Sequence, residues 1–186
     1  MEKKVILAAW EEAKLHSARF TMSDVTKRLH ISKSSLYKLV TSKDVLIHGM
    51  IDYLMEEINT KEKSIQESGK PVKDRLRDFT QECFRIIQPM YETGFNDDLA
   101  FTYPAEFARW TKFYEEKLNH ITSMLEEGIE AGIFKPVSLP IIRHCITASV
   151  FTIISADFLY KNNLTYEQAN RDFHELFFHG LLAEKE

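Results

Sequence analysis

The chain has 186 residues, of which 44% are hydrophobic and 28% are charged, and its formal net charge is −4. This share of apolar side chains supports a buried core and excludes a disordered chain. Only six glycines and five prolines are present, which disfavours an all-β fold built on tight turns.

The N-terminal region predicts three short helices followed by a long one. The first helix has apolar residues at the spacing i, i+3, i+4 and i+7, and it ends near Ser17. Thr21 and Asp24 form a capping box that begins the second helix, and Ser32 caps the third. Ser42 stands directly before the fourth helix, which continues well beyond residue 50.

The rest of the chain predicts five more helices, so that about nine are expected in total. Their approximate ranges are 71–93, 96–103, 104–131, 139–161 and 165–183. The third of these ends with Gly132, which we expect in the left-handed conformation, and with Ile133 packed back against the helix. The segment 139–161 runs for more than twenty residues without a helix breaker, so we expect one continuous helix there.

Positive charge is concentrated near the N-terminus. Residues 1–50 contain nine Lys/Arg and five Asp/Glu, a net charge of +4, whereas residues 51–186 contain 15 and 23, a net charge of −8. Between Thr26 and Lys43 there are five basic residues and no acidic one. The pattern fits either an ordinary solvated surface or an anion-binding end on an acidic body.

The turn between the second and third helices has only two or three residues, which is the arrangement of helix-turn-helix proteins. In these proteins the second helix of the pair enters the major groove, and its N-terminal residues meet base edges. Here that helix begins with hydroxyl groups and an ammonium, which can bind bases or phosphates. An absence of acidic residues is expected there, because a carboxylate would repel a phosphate.

This segment resembles the TetR-type transcriptional regulators. The matching residues are Thr21, the run Ile31-Ser32-Lys33-Ser34-Ser35-Leu36-Tyr37 and the run Ser42-Lys43-Asp44-Val45-Leu46. The match covers roughly residues 4–50, and it departs from the family pattern where His30 and Ser34 replace glycines. The resemblance implies phosphate contacts for Thr21, Ser32, Ser35, Tyr37, Lys38 and Lys43. It implies base contacts for Lys33 and Ser34.

Aromatic residues are concentrated in the middle of the chain. Ten of the 22 aromatic residues lie between Phe79 and Tyr114. Such a group forms either an ordinary helical core or the lining of a pocket for an apolar small molecule. The resemblance favours a pocket, since TetR-type regulators bind inducers in this domain. The expected ligand-binding residues are Phe84, Gln88, Phe107, Trp110, Tyr114 and His120, and Arg85 and Glu106 are further polar candidates.

The last two predicted helices are apolar on more than one face. A helix of this kind needs two partners, one of which is the core of its own chain. By resemblance, the second partner is the same pair of helices from another subunit, in a twofold-symmetric homodimer. The expected interface residues are Ile146, Val150, Ile153, Phe173, Phe177 and Leu181.

We therefore expect an all-α protein with a helix-turn-helix DNA-binding domain at residues 1–48 and a helical domain for effector binding and dimerisation at 49–186. The expected function is that of a repressor that leaves a palindromic, double-stranded DNA operator when a small apolar or aromatic ligand binds. A helix-turn-helix dimer without an effector, acting as a protein-binding adapter, remains open. A helical-bundle enzyme lacks support, because no metal-ligand set, Gly-rich phosphate loop or activated nucleophile is found.

Two further expectations concern cofactors and location. The two cysteines, Cys83 and Cys145, are too few for a zinc site or a disulfide framework, so we expect two buried, reduced thiols and no cofactor. No signal peptide is predicted, and the most apolar stretch, at residues 148–156, is far shorter than the roughly 20 residues that cross a bilayer. The sequence thus predicts a cytoplasmic protein without membrane contacts.

Overall fold

A computed structural model describes residues 2–182, and within that part of the chain it contains ten α-helices and no β-strand. The prediction of an all-α fold is confirmed. The helices are α1 Lys3–His16, α2 Met22–Leu29, α3 Lys33–Leu39, α4 Lys43–Gln66, α5 Val72–Tyr91, α6 Phe95–Thr102, α7 Pro104–Glu130, α8 Leu139–Ile153, α9 Ala156–Asn162 and α10 Tyr166–Leu181. A short 3₁₀ turn, Ser17–Arg19, follows α1.

The described chain divides into two compact units. The first contains residues 2–57 and 86–112, and the second contains residues 58–85 and 113–182. Helices α4, α5 and α7 each contribute residues to both units. This packing division differs from the expected functional boundary between residues 48 and 49, because residues 86–112 pack within the N-terminal unit. Sequence order alone cannot reveal such a return of the chain, and the functional boundary stays a prediction.

The first unit is built around the N-terminal helices. Val5, Phe20, Val25 and Leu36 are fully buried there, so α1, α2 and α3 share one apolar interior. The predicted capping box is present at α2, where the Thr21 side chain accepts from the backbone N–H of Asp24 and the Asp24 carboxylate accepts from that of Thr21. These local interactions begin α2 at the residue expected from the sequence.

The second unit is closed by a turn at the end of α7. Gly132 has a φ of 68°, as expected for the residue that ends a helix in the left-handed conformation. The side chain that packs back is Phe134, which is buried, rather than the expected Ile133, which is half-buried. A Cβ atom at Gly128 would lie 2.1 Å from Phe134 Cδ2, so only glycine leaves room for this ring. Lys135 N–H then donates to the Leu181 carbonyl oxygen at 2.8 Å.

The expected single helix at residues 139–161 is wrong, since the structure contains α8 and α9 at an angle of 69°. Ser155 interrupts the helix because its Oγ accepts from the backbone N–H of Phe158 at 3.3 Å and thereby caps α9. This break accounts for ten helices instead of about nine. Among the described residues no single helix has the length and apolar content to cross a membrane, although α8 and α9 pass that test as a bent pair by length and composition.

Candidate functional site

The turn between α2 and α3 is set by a residue in an uncommon conformation. His30 has a φ of 53° in the left-handed region, where the resembled family has glycine. Its backbone N–H donates to the carbonyl of Lys27 at 3.2 Å, and the N–H of Ile31 donates to that of Thr26 at 3.1 Å. A side chain at such a φ costs some conformational energy, and the two hydrogen bonds offset this cost.

The N-terminal turn of α3 presents a row of hydroxyl groups. Ser32 Oγ lies 2.8 Å from Ser34 Oγ and 2.9 Å from Ser35 Oγ, and it accepts from the Ser35 N–H at 3.0 Å. Lys33 and Lys38 are exposed beside this row, while Leu36 on the opposite side of the helix is fully buried. The helix therefore anchors one face in the core and leaves its polar face free.

Seven of the eight residues expected to contact DNA are exposed to solvent. They are Thr21, Ser32, Lys33, Ser34, Ser35, Tyr37 and Lys38. Tyr37 is 47% exposed, so it is not a core aromatic residue. Thr21 is exposed as well, but its hydroxyl donates to the Asp24 carboxylate at 2.7 Å within the capping box.

Lys43 is the exception, because its side chain turns into the protein. Its ammonium donates to the Ala18 carbonyl oxygen at 2.6 Å and lies 4.9 Å from the centre of the Phe20 ring. Burial lowers the pKa of this ammonium. A phosphate contact by Lys43, as the resemblance implies, requires that this internal hydrogen bond be broken. The role stays a prediction, and the structure offers Lys43 a different one in positioning the start of α4.

The six residues expected to bind a ligand do not belong to one unit. Gln88, Phe107 and Trp110 lie in the first, and Phe84, Tyr114 and His120 lie in the second. Trp110 is only 3% exposed, and its indole N–H donates to the Tyr91 hydroxyl at 3.4 Å. Gln88 donates to the Glu92 carboxylate at 3.1 Å. The ligand-binding role of all six residues is untested. In this structure the side chains of Trp110 and Gln88 make the internal hydrogen bonds just described.

His120 and Tyr114 are half-buried in the second unit. The His120 ring meets the Phe79 ring edge-on at 5.2 Å between centres, and its Nδ1 lies 3.7 Å from a Glu62 carboxylate oxygen. Burial lowers the pKa of His120. Tyr114 lies 4.6 Å from Phe151 between ring centres, and burial raises the pKa of its hydroxyl to about 12. At neutral pH the Tyr114 hydroxyl is therefore a neutral hydrogen-bonding group.

The two further polar candidates are engaged in ion pairs. Glu106 binds Arg109, and its other carboxylate oxygen lies 2.8 Å from His48 Nδ1, within the first unit. Arg85 pairs with Glu82 at 2.8 Å in the second. Neither group is an unoccupied anchor for an effector in this conformation.

A cleft of about 180 Å³ lies between α5 and α10 in the second unit. None of the expected ligand-binding residues lines it. Its walls are formed by Lys73, Arg77, Gln81, His174, Glu175, Phe178, His179 and Leu182. The spacing of Lys73, Arg77 and Gln81, four residues apart, could have indicated one polar helix face. No sequence signal indicated the opposing wall, because it depends on how α10 packs.

Comparison with known proteins gives a consistent picture of the fold. No family model matches the chain. A curated relative, the uncharacterized HTH-type transcriptional regulator YvaF of Bacillus subtilis, is 20% identical over 188 residues, which cover 100% of this chain and 98% of that protein. The TetR-family regulator PfmR of Thermus thermophilus superposes with a TM-score of 0.72 at 18% identity, covering 98% of this chain and 100% of PfmR.

Two further solved structures have a similar fold. A TetR regulator from Haloarcula marismortui has a TM-score of 0.76 at 15% identity, with 97% of both chains covered. The regulator FadR of Bacillus subtilis, solved with stearoyl-CoA, has a TM-score of 0.69 at 16% identity, covering 95% of this chain and 97% of FadR. The chain has the fold of TetR-family transcriptional regulators.

Within this TetR fold, three of the six expected dimer residues require a correction. Ile146, Val150 and Leu181 are buried in the core of their own unit, because α8 and α10 are apolar on several faces and these three residues point inward. Ile153, Phe173 and Phe177 are half-buried, and their interface role stays a prediction. The exposed faces of the same helices instead carry Ile141, Cys145, Ala148, Thr152, Leu176 and Gly180.

Proposed function

We propose that this protein is a DNA-binding transcriptional regulator that represses its target genes as a homodimer and is released from its operator by a small ligand. The observation that carries the proposal is the exposed polar face of α3, which follows a helix-turn-helix turn and bears hydroxyls and lysines in an otherwise acidic chain. Residues 1–48 would bind DNA, and residues 49–186 would bind the effector and the second subunit.

On DNA, α3 would lie in the major groove with its first turn against the bases. Lys33 and Ser34 stand at the exposed start of the helix and would contact base edges. Ser35, Tyr37 and Lys38 would bind phosphates on either side of the groove, and phosphate contacts fix the position of the protein without reading sequence. One short helix reads few bases, so specificity would come from two half-sites.

Dimerisation would supply the second half-site at the required distance of about 34–36 Å, one turn of the DNA helix. The exposed stripe of α8 and α10 is the surface we propose for this contact. Leu176 is 76% exposed, and an apolar side chain of this size is stabilised by burial against a partner. Small residues at Ala148 and Gly180 would let two helices approach closely.

The effector is proposed to be apolar or aromatic and to bind in the second domain. FadR of Bacillus subtilis, which has the same fold, was solved with stearoyl-CoA. Helix α4 would couple the two functions, because it contributes to the DNA-binding unit and continues into the second. A ligand shifts the balance between DNA-bound and free states only if it binds these states with different affinity.

An effector-free adapter is the second candidate function. It is favoured by the internal contacts of Trp110 and Gln88, which leave these residues no free side chain to offer a ligand. A screen for small molecules that release bound DNA distinguishes the two functions. Release by an apolar compound supports the regulator with an effector, and the absence of any such compound in a broad screen favours the adapter.

The decisive experiment measures binding of the purified protein to the DNA upstream of its own gene and to unrelated DNA of equal length. Strong preference for the upstream fragment is expected, with an affinity that falls by about 10³–10⁵-fold between 50 and 200 mM salt if 6–10 phosphates are contacted. A variant with Lys33 and Lys38 both changed to Ala is expected to lose this binding. Equal, weak binding to both fragments by the unaltered protein would contradict the proposal.

A further inference from the structure

His174 on α10 is buried without a hydrogen-bond partner. It is 7% exposed, and neither ring nitrogen has a partner among the described residues. Its ring stacks on Phe178 at 5.7 Å between centres and meets Phe84 edge-on at 5.3 Å. A neutral imidazole carries one donor and one acceptor, and burying both unpaired is unfavourable. A phenylalanine would fill the same space without burying an unpaired donor and acceptor. The presence of an imidazole here therefore indicates a functional role.

The cleft beside His174 has one cationic wall. Lys73, Arg77 and Gln81 lie four residues apart on α5 and therefore project from one face of that helix. Lys73 forms no ion pair with any carboxylate in the described part of the chain. Arg77 lies 2.7 Å from the Asp74 carboxylate and 3.6 Å from that of Asp78, and it keeps further N–H groups for a ligand because a guanidinium has five donors.

The opposite wall is apolar except for one carboxylate. Phe178 and Leu182 supply apolar surface to the cleft from the end of α10. Glu175 also faces the cleft, but its carboxylate lies 2.9 Å from His179 Nε2, four residues along the same helix. The cleft therefore offers the unpaired ammonium of Lys73 and the remaining donors of Arg77 on one side, and apolar contact beside the Glu175 carboxylate on the other.

We propose that this cleft is a binding site for a small amphipathic anion, whose phosphate or carboxylate group pairs with Lys73 and Arg77 and hydrogen-bonds to His174. The apolar part of the ligand would lie against Phe178 and Leu182. The His174 nitrogens are shielded from solvent, so this hydrogen bond would require the ring to turn about its broad χ2 torsion. None of the residues expected to hold the effector lines the cleft, although Phe84 packs against His174.

The dimensions of the cleft limit what it can take. Its volume of about 180 Å³ is below the roughly 300–1,000 Å³ of pockets that enclose drug-sized ligands. The occupant is therefore a small metabolite or the head group of a larger molecule that extends into solvent. All the residues that line the cleft belong to the second unit. Anion binding at this site can therefore be measured without operator DNA and without the proposed effector.

The test is isothermal titration of the full-length protein, in a buffer free of phosphate and carboxylate, with inorganic phosphate in one arm and hexanoate in the other. Saturable binding in at least one arm is expected, and the stronger arm identifies the head group. The double variant Lys73→Gln, Arg77→Gln is expected to weaken that binding by about tenfold or more, since each lost charged hydrogen bond removes about that factor. Arg171→Gln on the exposed side of α10 is the matched control and should bind like the unaltered protein.

His174→Phe separates binding from packing. It is expected to raise the thermal midpoint of the ligand-free protein, because the unpaired nitrogens are removed, and at the same time to weaken anion binding severalfold. Unchanged anion binding in His174→Phe would overturn the role of His174. Absence of saturable binding in both arms, or equal binding by the Lys73/Arg77 double variant, would overturn the site itself.

Discussion

The ammonium of Lys43 donates a hydrogen bond to the backbone carbonyl of Ala18, 25 residues earlier in the chain, at 2.6 Å. This bond ties the first residue of α4 to the 3₁₀ turn that leads into the helix-turn-helix pair. The adjacent Phe20 ring lies under the same ammonium. Lys43 thus fixes α4 against the segment from which α2 begins, which is a positioning role within the first unit.

Replacement of Lys43 by Met should therefore affect stability more than charge-dependent DNA binding. We expect the free energy of unfolding to fall by about 1–2 kcal/mol, because a carbonyl loses a charged donor. The slope of log affinity against log salt should stay unchanged. Lys38→Met is the matched control, since Lys38 is exposed, and it should lower that slope by about 0.9 with little change in stability. Urea unfolding and DNA titrations at several salt concentrations measure both effects.

Lys33 and Ser34 are expected to determine sequence preference. Lys33→Ala and Ser34→Ala should each change the ranking of operator variants that differ at one base pair, by about 1–3 kcal/mol at the affected position. Lys38→Ala should weaken binding to all variants alike. A competition assay on a library of single-base operator changes gives the ranking. An unchanged ranking would remove Lys33 or Ser34 from the residues that read bases.

The buried His174 should make the protein less stable in acid. Burial lowers the pKa of His174 from 6.5 to about 4, so between these pH values the unfolded chain binds a proton that the folded chain does not. Stability is then fully present above pH 6.5 and falls as the pH is lowered towards 4, by up to about 3 kcal/mol. Urea unfolding between pH 4.5 and 7.5 measures the slope.

His174→Phe is the variant that assigns this slope to a residue. It should flatten the pH dependence of the free energy of unfolding in that window, whereas His179→Gln at an exposed position should leave it unaltered. Part of the slope should persist in His174→Phe, because burial also lowers the pKa of His120. An identical slope in His174→Phe and the unaltered protein would contradict the assignment.

The proposed dimer surface predicts opposite outcomes for two apolar residues. Leu176→Glu changes an exposed side chain and should weaken dimerisation at least tenfold while the helical content stays normal. Ile146→Glu places a charge in the core and should unfold the second unit. Sedimentation velocity and circular dichroism distinguish these results. If Leu176→Glu dimerises as tightly as the unaltered protein, the interface lies on another surface.

Trp110 is expected to behave as a core residue. Trp110→Ala removes a buried side chain that also donates to Tyr91, and it should lower the free energy of unfolding by about 3–5 kcal/mol. A selective loss of induction with normal stability would instead favour the ligand-binding role expected from the sequence. Thermal unfolding measures the stability, and release of bound DNA by an identified ligand measures induction.

The helix starts were predictable because their signals are local. Thr21 with Asp24 and Thr165 with Gln168 form capping boxes, as the spacing of three residues indicates. The fold class and the exposed face of α3 follow from similarly local patterns of apolar residues. The interruption at Ser155 was missed, because a serine within an apolar run is compatible with both a continuous helix and a cap.

The features that could not be predicted from the sequence depend on tertiary packing. Ile146 and Leu176 are equally apolar, and the sequence cannot tell which stripe of a helix faces inward when several faces are apolar. The direction of the Lys43 side chain is decided by a carbonyl 25 residues away. The cleft beside His174 exists only because α5 and α10 are neighbours, although some 90 residues separate them in the chain.

The contact of Phe134 with Gly128 and the hydrogen bond from Lys135 to Leu181 have a consequence for biosynthesis. The end of α7 is completed by the carbonyl of Leu181, which the ribosome adds well after Phe134. At roughly 5–20 residues per second, several seconds pass between the synthesis of Phe134 and that of Leu181. During that interval the aromatic ring that closes the second unit can seat against Gly128, but the backbone that holds it in place does not yet exist.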